Sequence, residues 1–359
     1  MATRIVLAYT GGLDTTALIP WLAEHHHADV ITVTVDVGQG REFEAIRERA
    51  IAAGAKRAHV VDGREAFARE FVLPALQANA LYEGRYPLAT ALSRPLIART
   101  LAEVAGLEGA SLVAHGCTEP NDRVRIEAGV RALAPALQPL APTCEWGFDR
   151  AEVLAYARAH GVPVPVVSES PYRIDQNLWG RSIECGVIDD PWREAPEDVY
   201  AVTRSAEASA PSPAYVEVTF EQGEPVAING VTMGLVDLLD VLTTIAGQHG
   251  IGRIDMVENS VAGTKTREIY EAPAAVVLHA AHKELEVLVS PRELDRLSRE
   301  LSIAYADLVY NGQWFSPMRE ALDAFFASVQ SRVSGTIRAK LSRGACTMVG
   351  RRAGSVSQA

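Results

Sequence analysis

The stretch Ile5–Thr16, IVLAYTGGLDTT, restricts the fold more tightly than any other part of the chain. Ile5-Val6-Leu7-Ala8-Tyr9 has the length and β-branched content of a strand buried on both faces, the kind that sits inside a parallel sheet. Thr10-Gly11-Gly12 breaks the run, and Leu13-Asp14-Thr15-Thr16 leads into a helix expected over Ala17–Glu24. Strand, glycine turn and helix start together offer backbone N–H groups and a positive dipole end to an anion. Adjacent glycines let a phosphate approach closely because no Cβ intervenes. Asp14 is placed to hold a metal ion that bridges phosphate oxygens. An ordinary βα turn with a capped helix is the plainer alternative.

The chain continues in the same rhythm. Val30–Val35 reads as a second buried strand, Phe43–Ala53 as a helix and Arg57–Val61 as a third strand. A helix over Arg64–Asn79, a turn-rich stretch over Tyr86–Pro95 and a helix over Leu96–Ala105 follow. Ser111–Ala114 is a further strand, ending in the polar loop His115–Asp122. Helix signals at Asp149–His160 and a strand near Pro163–Val167 complete a βαβαβ pattern. This predicts an α/β, doubly wound parallel sheet with its ligand crevice at the strand C-termini. From about Ser168 the texture changes. Tyr172–Trp192 and Ile251–Tyr270 are polar and turn-rich without a clear period, between one alternating strand (Ala214–Phe220) and several helices. A nucleotide-binding domain over 1–167 and an α+β domain over 168–359 are therefore expected.

A formal net charge of −11 argues against a broad nucleic-acid-binding face. Cys117, Cys144, Cys185 and Cys346 show neither CxxC pairing nor metal-ligand spacing, which suits a reducing cytoplasm. No apolar run reaches the roughly 18 residues that span a bilayer. The chain opens on a strand, not on a signal peptide.

The turn at 10–16 resembles the SGGxDS loop of the ATP-pyrophosphatase (adenine nucleotide α-hydrolase-like) families, with threonines for both serines. No GxxxxGK[ST] run competes with it. The resemblance extends along essentially the whole chain to argininosuccinate synthase. It rests on AYTGGLDTT (8–16), DVGQGREF (36–43), YPLATALSRP (86–95), HGCT and NDRVRIE (115–127), DQNLWGRSIECG (175–186) and GTKTREIYEAPA (263–274), in the family's order. It implies a synthetase domain after the nucleotide-binding domain, with ATP and Mg²⁺ as cofactors and a homo-oligomer, a tetramer or dimer. It also implies a C–N ligase of arginine biosynthesis: the ureido oxygen of citrulline attacks the α-phosphate, pyrophosphate leaves, and the aspartate amine displaces AMP.

The resemblance also assigns residues. Ala8, Tyr9, Thr10, Gly11, Gly12, Leu13, Asp14, Thr15 and Thr16 would hold ATP, together with Val35, His115 and Gly116. Thr118, Asn121 and Asp122 match the aspartate contacts. Tyr86, Asn121, Arg125, Ser182, Glu258 and Tyr270 match the citrulline contacts, with Ala91 and Arg173 at two further contact positions. Asp14 and Arg125 are the residues closest to the chemistry, and Asp14 is the Mg²⁺ ligand. No acid–base dyad is visible, so catalysis would rest on positioning and charge stabilisation. Lys265 and Arg267 read equally as phosphate or second-layer groups and as surface charges.

Four features depart from the family pattern. Its usual TGKGND loop is Thr118-Glu119-Pro120-Asn121-Asp122 here, one residue shorter, with a carboxylate for an ammonium and a proline that lacks an N–H. A citrulline-contacting serine is replaced by Arg173, and another small polar contact by Ala91. The long C-terminal tail through which the family interlocks is expected to be missing after VGRRAGS. Three readings stay open at this point. The chain is a divergent synthase, or a specialised paralogue joining aspartate to a different ureido, amide or carboxylate acceptor, or a nucleotide-binding regulator without turnover.

Overall fold

The computed structural model describes residues 3–40, 42–163 and 171–354. The chain divides into two compact units, and neither is a single segment. The first comprises 1–63, 93–170 and 311–315; the second comprises 64–92, 171–310 and 316–359.

The first unit is built on a parallel sheet of β1 (Thr3–Ala8), β2 (Ala28–Asp36), β3 (Arg57–Asp62), β4 (Leu112–Ala114) and β5 (Gln138–Leu140). Its strand order is β3-β2-β1-β4-β5, and every pairing is parallel. The chain winds outward in both directions from β1, so the order reverses between β1 and β4, the place where such sheets open a crevice. Ile5, Val6 and Leu7 are fully buried in the central strand, as expected of a strand covered on both faces. Helix Leu13–His26 starts four residues earlier than its apolar pattern indicates, because Leu13-Asp14-Thr15-Thr16 already forms its first turn. Leu18, Ile19 and Leu22 pack its inner face into the core of this unit. The strand expected near Pro163–Val167 lies largely outside the described residues.

Helix Pro120–Leu133 shortens the polar loop expected over His115–Asp122, whose last three residues are helical. Pro120 occupies the first helical position, where the missing N–H is one the helix leaves unbonded anyway. The turn-rich reading of 86–95 is likewise corrected: a helix begins at Ala89 and runs to Glu108, with Pro95 inside it.

The second unit holds two antiparallel sheets. One is ordered β11-β12-β7-β6, from β6 (Arg173–Asn177), β7 (Gly180–Glu184), β11 (Arg253–Asn259) and β12 (Lys265–Glu271). The other is ordered β10-β9-β8-β13-β14, from β8 (Ala214–Glu221), β9 (Glu224–Ile228), β10 (Val231–Thr232), β13 (Gly335–Ser342) and β14 (Ala345–Ala353). Both segments read as irregular, 172–192 and 251–270, thus contain strands. The irregular run after β7 is organised by Glu271, 1% exposed. Its carboxylate accepts bonds from the N–H groups of Ala201, Val202 and Thr203, the Thr203 hydroxyl and Arg181. A buried carboxylate so fully satisfied fixes a loop in place. Arg267 plays a similar part: it forks onto Asp255 and donates to the carbonyls of Asp190 and Arg193, which answers the open question over its role with a structural one.

Candidate functional site

In the first unit, β1 ends at Ala8 and the chain turns through Tyr9–Gly12. Tyr9 continues the sheet by donating its N–H to Val33 O at 2.8 Å, and its own carbonyl accepts from Thr34 Oγ1 at 2.9 Å. Gly11 lies at φ +75°, and a Cβ there would meet Ile46 Cγ1 at 2.9 Å; both the backbone and the space require glycine. Arg49 fixes the turn from behind by donating to Gly11 O at 2.7 Å. Gly12 is the N-cap of helix Leu13–His26 and supplies no side chain to it. The first intrahelical bond is Thr16 N–H to Gly12 O, so the N–H groups of Leu13, Asp14 and Thr15 find no acceptor within the helix. That is a set of donors at a dipole's positive end.

The three threonines brace this turn. Thr16 Oγ1 donates to Gly12 O at 2.6 Å and contacts the Tyr9 hydroxyl at 3.0 Å; Thr10 and Thr15 join through their hydroxyls at 3.1 Å. Thr15 and Thr16 are buried, whereas Thr10 and Asp14 are exposed at the mouth. Asp14 is a lone carboxylate, and no cluster of three or more His, Cys, Asp or Glu suited to a metal occurs among the described residues. One carboxylate is what Mg²⁺ needs when phosphate oxygens and water complete its shell, so the residues present fit a nucleotide-borne ion, not a resident one.

Val35 is the penultimate residue of β2, and its carbonyl accepts from Gln39 Nε2 at 2.8 Å. Across the switch point, β4 delivers His115 and Gly116. His115 is fully buried, and burial lowers its pKa against the pull of Glu127, whose Oε1 lies 3.6 Å from Nε2. Its imidazole is therefore neutral at pH 7. Gly116 packs so closely on helix Leu13–His26 that a Cβ would meet Thr15 Cγ2 at 2.8 Å.

Thr118, Asn121 and Asp122 follow, the last two in the first turn of helix Pro120–Leu133. Asp122 accepts from Arg94 Nη2 at 2.6 Å and from Arg125 Nη1 at 3.2 Å. Burial pushes its pKa up, but the two guanidinium groups prevail and hold the carboxyl below its ordinary range. Arg125 is 4% exposed, so the solvated surface arginine that a lone Arg usually is does not describe it. Arg94 had no assigned role from sequence, although it sits inside YPLATALSRP.

In the second unit, one face of the sheet β11-β12-β7-β6 carries the other candidates. Tyr270 is paired with Ser182, and Ser182 with Asp175, in a row across β12, β7 and β6. Arg173, paired with Glu184, is two residues from Asp175 and so shares that face. It is exposed on the edge strand. Tyr86 stacks on Tyr270, with ring centroids 4.0 Å apart, and its hydroxyl accepts the Thr90 N–H at 2.9 Å. Thr90 Oγ1 reaches Ser182 Oγ at 3.2 Å. Between Tyr86 and Thr90, Leu88 is fully buried at φ +64°, an uncommon backbone state for a branched residue and a sign that the loop is held under constraint. Ala91 is fully buried and brings no polar atom.

Glu258, on β11, is 2% exposed. Its Oε2 accepts from the Tyr270 hydroxyl at 2.8 Å and its Oε1 from the Tyr310 hydroxyl at 2.7 Å. Burial first, then the neighbouring Tyr86 and Glu258, raises the Tyr270 pKa well above that of free phenol, so it remains a donor. Tyr310 in turn stacks on Tyr82 at 3.5 Å. Neither Tyr310 nor Tyr82 stood out in the sequence. Tyr310 ends an amphipathic helix, Arg292–Tyr310, where an aromatic at a buried position reads as core.

The N-terminal part, residues 4–163, matches the family model "Arginosuccinate synthase N-terminal HUP domain". Residues 172–356 match "Arginosuccinate synthase C-terminal domain". The chain is 53% identical over 350 residues to an argininosuccinate synthase of Symbiobacterium thermophilum, covering 97% of this chain and 87% of that protein. It is 50% identical to one of Dehalococcoides mccartyi (98% and 87% covered) and 52% identical to one of Gloeobacter violaceus (98% and 89% covered).

Proposed function

The chain belongs to the argininosuccinate synthase family, and from that premise we propose that it joins citrulline to aspartate at the expense of ATP, giving argininosuccinate, AMP and pyrophosphate. Identity of 50–53% along nearly the whole chain favours this acceptor over a different ureido, amide or carboxylate compound, and favours turnover over a purely regulatory role.

The observation that carries the ATP half is the Gly11–Gly12 turn with its uncapped helix start, facing the switch point of the sheet. Tyr9–Thr16 would take the triphosphate, the N–H groups of Leu13–Thr15 meeting charge that grows on the departing pyrophosphate. Val35, Gly116 and the neutral His115 would contact the nucleoside portion. Asp14 would hold Mg²⁺, which supplies neutralisation of phosphate charge when bound. Thr118, Asn121 and Asp122 would hold aspartate, the Asp122 carboxylate directing its amine. Glu258, Tyr270, Tyr86 and Ser182 would hold the acceptor, with Ala91 in its wall, Arg173 at its rim and Arg125 as a carboxylate partner. Glu258, a buried carboxyl that accepts from two phenols, suits an α-ammonium group. No residue is required as proton shuttle; the reaction depends on placing the ureido oxygen in line with the α-phosphate and the amine on the resulting activated carbon.

Four cysteines without a disulfide fit a cytoplasmic protein, and no described helix is long and apolar enough to cross a membrane. A homo-oligomer is proposed from the family, testable by sedimentation. The functional test is pyrophosphate release with ATP, Mg²⁺ and aspartate, with and without citrulline. Citrulline-dependent release and a product of argininosuccinate mass are expected. ATP binding with no release under citrulline would overturn the assignment.

A further inference from the structure

Apart from these residues, the second unit encloses a cavity of about 370 Å³, walled by helix Pro273–Val289, helix Arg292–Tyr310 and the segment 79–87. Its lining includes polar groups that the proposed reaction does not use. Among the described residues, both ring nitrogens of His279, Oε1 of Glu286 and Oγ of Ser298 have no hydrogen-bond partner. The three residues are 5%, 3% and 3% exposed. Leaving each such group unsatisfied costs about 1–3 kcal/mol, and native folds rarely gather several in one place without a use for them.

The charges are arranged by depth. Glu286 and His279 are interior; burial, reinforced by Asp295 and opposed by Asn79, Arg299 and Lys283, raises the Glu286 carboxyl to about 7. Burial likewise keeps His279 neutral, with His282 adding to the effect. Asn79 donates to Glu286 Oε2, leaving the other oxygen open. Arg85 and Lys283 line the same cavity, are exposed, and form no ion pair among the described residues. Arg299 is different, being occupied by Asp295. Leu81, Val276 and Ala280 supply apolar wall.

We propose that this cavity binds a small carboxylic acid whose far end bears N–H donors, an ω-amino or ω-guanidino acid of amino-acid size. Arg85 and Lys283 receive its carboxylate at the mouth. Its methylenes lie on Leu81, Val276 and Ala280. Its N–H end donates to Glu286 Oε1 and His279, satisfying the buried acceptors. The site is separate from the acceptor residues around Glu258 and does not depend on the ligase reading.

Isothermal titration of the full chain with 5-aminopentanoate and 4-guanidinobutanoate, in the presence of saturating citrulline, tests this. One saturable site per chain is expected, with pentanoate and pentylamine each at least tenfold weaker. Arg85→Ala and Glu286→Gln should each weaken binding tenfold or more, whereas Glu258→Ala should leave it unchanged. Should Glu286→Gln fail to fold, Arg85→Ala, a change at an exposed position, still decides. Absence of saturable binding would mean that the cavity holds only water and would overturn the proposal. Binding lost in Glu258→Ala and retained in Arg85→Ala would overturn it too, placing the probe among the acceptor residues.

Discussion

Tyr310 donates its hydroxyl to Glu258 Oε1 at 2.7 Å, so the carboxylate that Tyr270 holds by one oxygen is held by both. A buried carboxylate with one bond can rotate about its last torsion; with two it is fixed in plane. The consequence is that Tyr310, assigned no role from sequence, positions Glu258.

Tyr310→Phe should therefore raise the KM for citrulline with a smaller effect on kcat. A hydrogen bond to a charged group is worth roughly 1.5–3 kcal/mol, so a rise of about tenfold or more is expected. The KM for ATP should not move. Steady-state kinetics with each substrate varied in turn separates this from general destabilisation, which would lower activity at every substrate concentration alike.

Asp14→Ala should abolish pyrophosphate release while the protein remains folded. Asp14 is exposed in the first turn of its helix, where a carboxylate contributes only about 0.3–1 kcal/mol through the helix dipole. Near-normal activity in this variant, with unchanged circular dichroism, would remove the phosphate-loop assignment.

The two glycines of the turn should differ. Gly11→Ala places a Cβ at φ +75° and against Ile46, and should destabilise by about 1–3 kcal/mol as well as impair ATP binding. Gly12 lies at φ −76°, and its added Cβ would meet only Thr10 Oγ1, at 3.3 Å. Gly12→Ala should change stability far less. Urea denaturation of both variants checks the contrast; equal losses would show that the backbone angle at Gly11 is not what the turn needs.

Glu286 makes a prediction about pH. Its carboxyl is raised from 4.5 to about 7 in the folded chain. Between those values the unfolded chain has released the proton and the folded chain retains it, so this group lowers stability as pH rises through that window. Glu286→Gln keeps an acceptor for Asn79 and removes the titration. Relative to the parent it should gain on the order of 2 kcal/mol between pH 5 and pH 8, measured by denaturant unfolding at each pH. A constant difference across that range would contradict it.

The centre of the parallel sheet was legible because β1 and β2 are mostly apolar and the turn after β1 carries glycine, whereas β5, three residues with Gln138 and Pro139, carries no such signal and was not expected. Strand β11 was not, for a reason tied to the proposed function. Ile254, Met256 and Glu258 are its inward positions, and the third breaks the apolar alternation because phenols cover a carboxylate there. Strand β6, RIDQN, lies at a sheet edge and has no apolar face to display. Pro120 was expected inside a polar loop, yet it opens a helix, since local preference cannot distinguish a proline that precedes a helix from one that starts it. The residues proposed for the nucleotide and aspartate lie in short contiguous strings, which is why they could be nominated. Arg94, Tyr82 and Tyr310 were not, because their partners Asp122, Asn259 and Glu258 are distant in sequence.

The first unit takes its last piece, 311–315, from near the end of the chain. Gly312, at φ +74°, passes so close to Arg125 that a Cβ would strike the Arg125 Cα at 2.8 Å, and Phe315 packs near Gly129. On the ribosome, then, the helix bearing Asp122 and Arg125 is synthesised long before the segment that backs it. A nascent chain can form the turn at 10–16 early, but helix Pro120–Leu133 lacks its backing until residue 315 has emerged, so the first unit is completed late in translation.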